Sequence, residues 1–344
     1  MKEKDSIDQS IYMRRCFELA ESGESYVAPN PMVGAVLVYE DKIIGEGYHE
    51  HYGEAHAEVN CLNSVQPENI HLIPLSTLYV SLEPCAHYGK TPPCADLIIR
   101  HKIPKVVISV QDNFDLVNGK GIERLKQNNV EVITGILEEE GKELLKHFLY
   151  FYQYKLPYIT LKFAQSKDGL IGIKNQEIKI SNDLSKRYVH QLRAAHQAIL
   201  VGKNTVLADN PELTVRNRKG KNPIRIILGD KKEIPNQYHI FDKQAETIFF
   251  NDKNINVVLG ELYQQKIISV LVEGGADVLQ QFIDSNLWNE AHIITSDKNL
   301  IQHLTFNTQH SIKAPKIKGD AINTIQLEND TIQILKNPNA LSIT

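Results

Sequence analysis

Two short strand-like runs, residues 33–39 and 42–48, flank the polar pair Glu40-Asp41 and predict a β-hairpin. Ahead of it, apolar positions recur with helical period over residues 11–20. A capping-box pattern at residues 6–9 opens that helix and Gly23 closes it. Beyond the hairpin, His56 runs into Val59 and Leu62, which places it at the opening of another helix. The apolar run 78–82 reads as a buried strand that delivers Pro84-Cys85 at its end. Cys94 opens a helix over 95–100, and a strand over 105–110 follows it. A further helix and strand share residues 121–132, and one long helix covers 138–154. The alternation predicts an α/β fold.

At Lys155-Leu156-Pro157 the helical pattern stops, because proline disfavours helical geometry in the residue before it, and a strand begins over 158–163. Two domains are therefore expected, residues 1–154 and 155–344. The second alternates again, with strands at 198–201, 224–228, 268–272 and 291–295 and a helix at 276–286. Residues 217–256, rich in Lys and Asn, follow no clear pattern, and there is no internal repeat.

Composition narrows the function. A chain of 344 residues is long for a single core. With 42% hydrophobic and 23% charged residues it has the make-up of an ordinary globular protein. A net charge of -4 offers no general basic face to nucleic acid. The first ten residues lack the apolar stretch of a secretory signal, and no run reaches the roughly 18 apolar residues of a membrane span. The expected location is the cytoplasm, where thiols stay reduced and clustered cysteines favour a metal over a disulfide. Of the four cysteines, Cys16 and Cys61 fall on apolar helical faces and read as core thiols.

The other two carry chemistry. His56-Ala57-Glu58, then Pro84-Cys85, then Cys94 supply one imidazole and two thiolates, which can hold zinc and leave one position for water. Such an ion lowers the pKa of its water toward about 7. Glu58 is the proton carrier of this set, provided the helix start lets it converge with His56. The order matches the signature of zinc nucleobase deaminases, although eight residues separate the cysteines where the signature has two. His49, His51 and His87 are rival ligands, and a fourth protein ligand would make the site structural.

Asn30-Pro31-Met32-Val33-Gly34, Gly45-Glu46-Gly47-Tyr48-His49, His56-Ala57-Glu58-Val59 and the run from Leu82-Glu83-Pro84-Cys85 to Cys94 resemble the deaminase half of the bifunctional riboflavin-biosynthesis deaminase-reductases. In that family the long inter-cysteine segment is normal. The resemblance implies a cytidine-deaminase-like three-layer domain that uses zinc to deaminate a phosphoribosylaminopyrimidinone. It also implies that Asn30 and His49 line the base pocket, that Lys90 and Thr91 reach the ribose phosphate, and that Asp112 contacts substrate. Where the family carries Asp-Pro-Asn-Pro, this chain has Asp112-Asn113-Phe114-Asp115.

The second half has no G-x-G-x-x-G, so a Rossmann fingerprint is excluded. Leu161 to Gly169, Leu192-Arg193-Ala194, Thr205 to Pro211, Leu213 to Arg216 and Glu273-Gly274-Gly275 resemble the reductase half of the same family, which has a dihydrofolate-reductase-like fold and uses NADPH. Carried over by that resemblance, Ala164, Thr205 and Asp209 touch the dinucleotide. Gly275, Ala276, Asp277, Val278, Leu279, Gln280 and Gln281 cradle its phosphates. Arg193, Leu213, Arg216 and Glu273 hold the phosphorylated sugar. Glu177 and Lys179 fall where cofactor and substrate contacts are expected. Lys179-Ile180-Ser181-Asn182 stands where the family often has Trp-Ile-Thr.

The function implied is zinc-dependent hydrolytic deamination followed by NADPH reduction of a ribosylamino group to ribitylamino. Its partners are small-molecule substrates, without nucleic acid or membrane, in a homo-oligomer as is common in the family. A deaminase of nucleosides or tRNA bases would call for a basic, aromatic groove, which the acidic balance disfavours. A zinc-stabilised scaffold would have no use for Glu58.

Overall fold

The computed structural model describes residues 9–88, 92–112, 119–173, 178–216, 218–252, 254–301 and 311–343. Lys90, Thr91, Glu177 and residues 113–115 lie outside the described residues. The chain forms two compact units, Met1–Tyr154 and Lys155–Ser342.

The first unit runs α1 (Gln9–Glu21), β1 (Gly34–Tyr39), β2 (Lys42–Tyr48), α2 (Ala57–Asn63), β3 (Thr77–Leu82), α3 (Cys94–Arg100), β4 (Lys105–Val110), α4 (Lys120–Gln127), β5 (Glu131–Thr134), α5 (Glu138–Leu144) and α6 (Lys146–Tyr154). Glu40 and Asp41 both take positive φ (43° and 63°), the geometry a tight hairpin turn needs. The sheet order is β2-β1-β3-β4-β5, antiparallel on the β2 side and parallel from β3 to β5. One face buries Ala35, Leu37, Leu78, Val80, Val106 and Ile108 against α2, α3 and α4. The other buries Val36, Val38, Tyr79 and Val107 against α1 and residues of α5. These are three layers, as the resemblance implies. Cys16 and Cys61 are fully buried in them, on α1 and α2. The expected single helix over 138–154 is two. Leu145, at φ −95° and ψ 6°, breaks it and turns its side chain into the core with Phe148 and Leu149.

Helix α2 sits unusually close to the hairpin. A Cβ on Gly47 would lie 2.2 Å from the backbone nitrogen of Cys61, so only glycine admits this approach. The contact places the N-terminus of α2, and with it His56 and Glu58, against the sheet.

The second unit contains β6 (Tyr158–Gln165), β7 (Leu170–Ile173), α7 (Asp183–Ala195), β8 (Ala198–Gly202), α8 (Lys203–Asp209), β9 (Ile224–Leu228), β10 (Thr247–Phe250), α9 (Ile255–Gln264), β11 (Ser269–Val272), α10 (Ala276–Asp284), β12 (Glu290–Ser296), β13 (Ser311–Lys313), β14 (Asp320–Leu327) and β15 (Asp330–Lys336). Its main sheet has the order β10-β9-β8-β11-β6-β12-β15-β14, parallel as far as β12 and antiparallel beyond. Helices α9 and α10 bury Val258, Leu262, Leu279 and Phe282 on one face. On the other, Val189 of α7 joins Ile294, Ile332 and Ile334. Crossover helices on both faces are what a parallel sheet requires. Among the described residues, no helix is long and apolar enough to cross a membrane.

Candidate functional site

In the first unit, strand and helix ends converge. His56 is the N-cap of α2, Cys85 follows the end of β3, and Cys94 is the first residue of α3. Their ligand atoms lie within 4.8 Å of one another, and His56 Nδ1 is 3.3 Å from Cys94 Sγ and 3.7 Å from Cys85 Sγ. Among the described residues this is the one cluster of its kind, and it has three members. None of the three rival histidines, His49, His51 and His87, joins it. His49 receives a hydrogen bond from Asn30 Nδ2 (3.0 Å) and donates from Nδ1 to the Ala55 carbonyl (2.9 Å), with burial lowering its pKa. His51 pairs with Glu54, and His87 lines the adjoining cavity. One imidazole and two soft sulfurs suit zinc, and three protein ligands keep a coordination position open.

The two thiols act on each other, and the bond to Cys85 together with burial pushes the Cys94 thiol well above its ordinary value. A hydrogen bond from Cys94 and the neighbouring His56 hold the Cys85 thiol down at about 4 against the effect of burial. The bond to Cys85 raises the His56 pKa despite burial, which acts to lower it. Glu58 is 3% exposed, and burial pushes its carboxyl above the ordinary value although His56 pulls the other way. A carboxyl poised upward is suited to both accepting and returning a proton.

A cavity of about 250 Å³ opens beside these groups. Asn30, His49, His56, Glu58, Cys85 and Asp112 all line it, with Pro31, Val33, Leu82, Phe148 and Tyr152 supplying apolar walls suited to a flat heterocycle. Glu83 lines it too, without a role foreseen from the sequence.

In the second unit, α7 carries Arg193 toward β11. Its nitrogens Nε and Nη2 bond both oxygens of Glu273 (2.7 and 3.0 Å), and Nη1 donates to the Thr214 carbonyl (3.2 Å). Lys162 on β6 stands 3.5 Å from the same carboxylate. The sequence did not single out Lys162, whose partners come together only in the fold. The resemblance assigns Arg193 and Arg216 to the phosphorylated sugar. Arg193 is largely engaged within the protein, with three of its five N–H groups bonded to Glu273 and Thr214. Arg216 is half exposed and pairs with Glu212. Leu213 is buried at φ 53°, which turns the segment so that the Arg216 backbone N–H reaches His190 on α7.

Burial acts to raise the Glu273 carboxyl, but Arg193 and Lys162 outweigh it and hold it at about 2. A carboxyl depressed from the usual 4.5 stabilises the fold fully above pH 4.5, and loses that contribution as the pH falls toward 2. The stability gap between the wild type and Glu273→Gln, read from urea midpoints, is expected to be constant above pH 5 and to shrink below 4.5. A gap unchanged down to pH 3 would contradict this.

The dinucleotide residues gather only in part. Gly275 is the N-cap of α10, and a Cβ there would come within 3.2 Å of Thr205 Oγ1 on α8. The bare backbone, the hydroxyl and the free first-turn amides of Ala276, Asp277 and Val278 form a cradle that fits a phosphate. Leu279 lies in the core with its N–H bonded to the Gly275 carbonyl. Gln280 bonds Asp284 and the Lys316 backbone, and Gln281 is exposed, so the cradle is confined to the first turn. Asp209 ends α8, and Ala164 lies on β6 beside the core below α7. Lys179 is exposed and pairs with Asp183. Asn182, where the family motif departs, caps α7 by accepting from the Ser185 N–H (2.8 Å).

Family models match both units: the cytidine and deoxycytidylate deaminase zinc-binding region over residues 6–110, and the RibD C-terminal domain over residues 157–321. The riboflavin biosynthesis protein RibD of Bacillus amyloliquefaciens is 40% identical over 312 residues, covering 83% of each chain. This chain belongs to the RibD family. RibD of Escherichia coli is 33% identical over 86% of this chain and 89% of its own. The crystal structure of a Thermotoga maritima diaminohydroxyphosphoribosylaminopyrimidine deaminase/5-amino-6-(5-phosphoribosylamino)uracil reductase superposes with a TM-score of 0.85 at 34% identity, covering 95% of this chain and 98% of that one. Acinetobacter baumannii RibD gives 0.86 at 30% identity, with the same coverage. The chain is thus a bifunctional deaminase-reductase of riboflavin biosynthesis, an enzyme with zinc and NADPH as its cofactors.

Proposed function

We propose that the chain deaminates 2,5-diamino-6-(5-phosphoribosylamino)pyrimidin-4-one and then reduces the ribosylamino group of the product uracil to ribitylamino. Residues 1–154 carry the first reaction and residues 155–344 the second. The observation that carries this reading is one cavity lined by His56 and Cys85 of the three-residue ligand cluster, by the buried Glu58 and by the hydrogen-bonded Asn30–His49 pair.

His56, Cys85 and Cys94 would hold zinc, which when bound would supply Lewis acidity at the reacting centre. Glu58 accepts a proton from the water that attacks the ring carbon bearing the amino group and returns it to the nitrogen that leaves as ammonia. Asn30 and His49 orient the pyrimidine by hydrogen bonds, and Phe148 and Tyr152 exclude solvent. Lys90 and Thr91 take the ribose phosphate, with Asp112 contacting substrate nearby.

In the second unit, NADPH supplies the hydride that reduces the ring-opened imine. Thr205, Asp209, Ala164 and the start of α10 hold the dinucleotide. Arg216, with the remaining N–H bonds of Arg193, takes the substrate phosphate, and Glu273 is held ionised beside it. Leu213 shapes that segment, and the family resemblance assigns Glu177 and Lys179 contacts with cofactor and substrate. We place the enzyme in the cytoplasm, as a homo-oligomer acting on small molecules without nucleic acid or membrane. All four thiols being free is consistent with that compartment.

The deciding experiment supplies the diaminopyrimidine phosphoriboside with NADPH and follows ammonia and NADPH absorbance together. Ammonia is expected first, with NADPH oxidation following mole for mole. Oxidation without ammonia would exclude the proposed order.

A further inference from the structure

Glu83 is 4% exposed, and four backbone amides donate to its carboxylate. Its Oε2 accepts from Asp112 N–H (3.2 Å) and Gly119 N–H (3.1 Å), and its Oε1 from Gly121 N–H (2.9 Å) and Ile122 N–H (3.2 Å). The N-cap of α4 is Gly119, which has no side chain to cap the helix, so Glu83 provides the acceptor from a distant strand end. One carboxylate thus ties down both ends of the segment 112–122. Asp112 lies at one end of that segment and lines the same cavity as Glu83. Farther along α4, Arg124 pairs with Asp96 (2.6 Å) and donates to the Ala86 carbonyl (3.3 Å). The helix is therefore tied to residues flanking both cysteines.

We propose that Glu83 is a positioning residue of the deaminase half, whose four amide contacts hold Asp112, a lining residue of the pyrimidine cavity, to the start of α4 and so set substrate affinity. The proposal rests on the deaminase reading above. It requires a carboxylate specifically. Both oxygens accept two N–H groups each, and an amide would point its own N–H₂ at one of the two pairs.

The test is Glu83→Gln in the full chain. The deaminase KM is expected to rise roughly tenfold or more, as one buried acceptor serving two amides is lost, with kcat changing far less. Zinc content should stay at the wild-type level, and reduction of the pre-deaminated substrate should proceed at the wild-type rate. Amide hydrogen exchange at Asp112 and residues 119–122 should speed up. If Glu83→Gln fails to fold, Glu83→Asp, which keeps the charge one methylene short, carries the same measurements. Unchanged KM, or loss of zinc in place of a KM effect, overturns the proposal, as does unchanged exchange. Absence of ammonia release by the wild type would overturn the deaminase reading itself, and exchange would still decide whether Glu83 anchors the segment.

Discussion

Glu58→Gln is expected to lower ammonia release by roughly 10²–10⁴-fold, the usual worth of a positioned acid-base group. The amide is nearly isosteric, and Glu58 is outside the cluster of His56, Cys85 and Cys94, so zinc content should be unchanged. The substitution removes a buried carboxyl whose pKa burial raises, so it should not cost stability. NADPH oxidation on the deaminated substrate should continue at the wild-type rate. Loss of reduction in a folded, zinc-loaded variant would show that the two activities do not use separate residues. Retained ammonia release would remove Glu58 from the mechanism.

Arg193→Ala and Arg216→Ala should differ in kind, although both arginines are assigned above to the same substrate phosphate. Arg193 is 12% exposed and holds Glu273, itself 9% exposed. Truncating it leaves a buried carboxylate with Lys162 as its remaining cation, at 3.5 Å. Breaking a buried pair this way costs about 3 kcal/mol, the low end of the range because Lys162 stays. The expected result is a lower urea midpoint for the second unit together with a weakened reductase. Arg216, half exposed and paired with Glu212, contributes little to folding. Its loss should raise the reductase KM with stability unchanged. Equal midpoints for the two variants would contradict the role assigned to Arg193.

What could be read in the sequence follows from how each element packs. The hairpin, β3, β4 and the helix at Cys94 stand out because their apolar positions face a continuous core. Helix α7 does not, although it carries Arg193. Its buried face mixes apolar Val189, Leu192 and Ala194 with polar contacts: Ser185 with Asp330, Tyr188 with His292, and Arg193 with Glu273. Polar residues among the apolar ones make the helical period harder to read. Strand β14 is exposed along nearly its whole length, so it lacks the alternation of a half-buried strand. The zinc ligands were legible because metal chemistry restricts the residue types. Glu83 and Lys162 were not, since a carboxylate gathering amides and a lysine beside a distant glutamate acquire meaning only from neighbours far along the chain.

The close seating of α2 on Gly47 bears on any attempt to transplant this chemistry. Copying His56, Glu58 and the two cysteines into a new scaffold would leave the histidine-bearing helix standing off by the thickness of a side chain. A transplant has to bring the glycine-containing hairpin and the helix it admits along with the ends of β3 and α3 that carry the cysteines, because the seating of α2 sets where His56 stands relative to them.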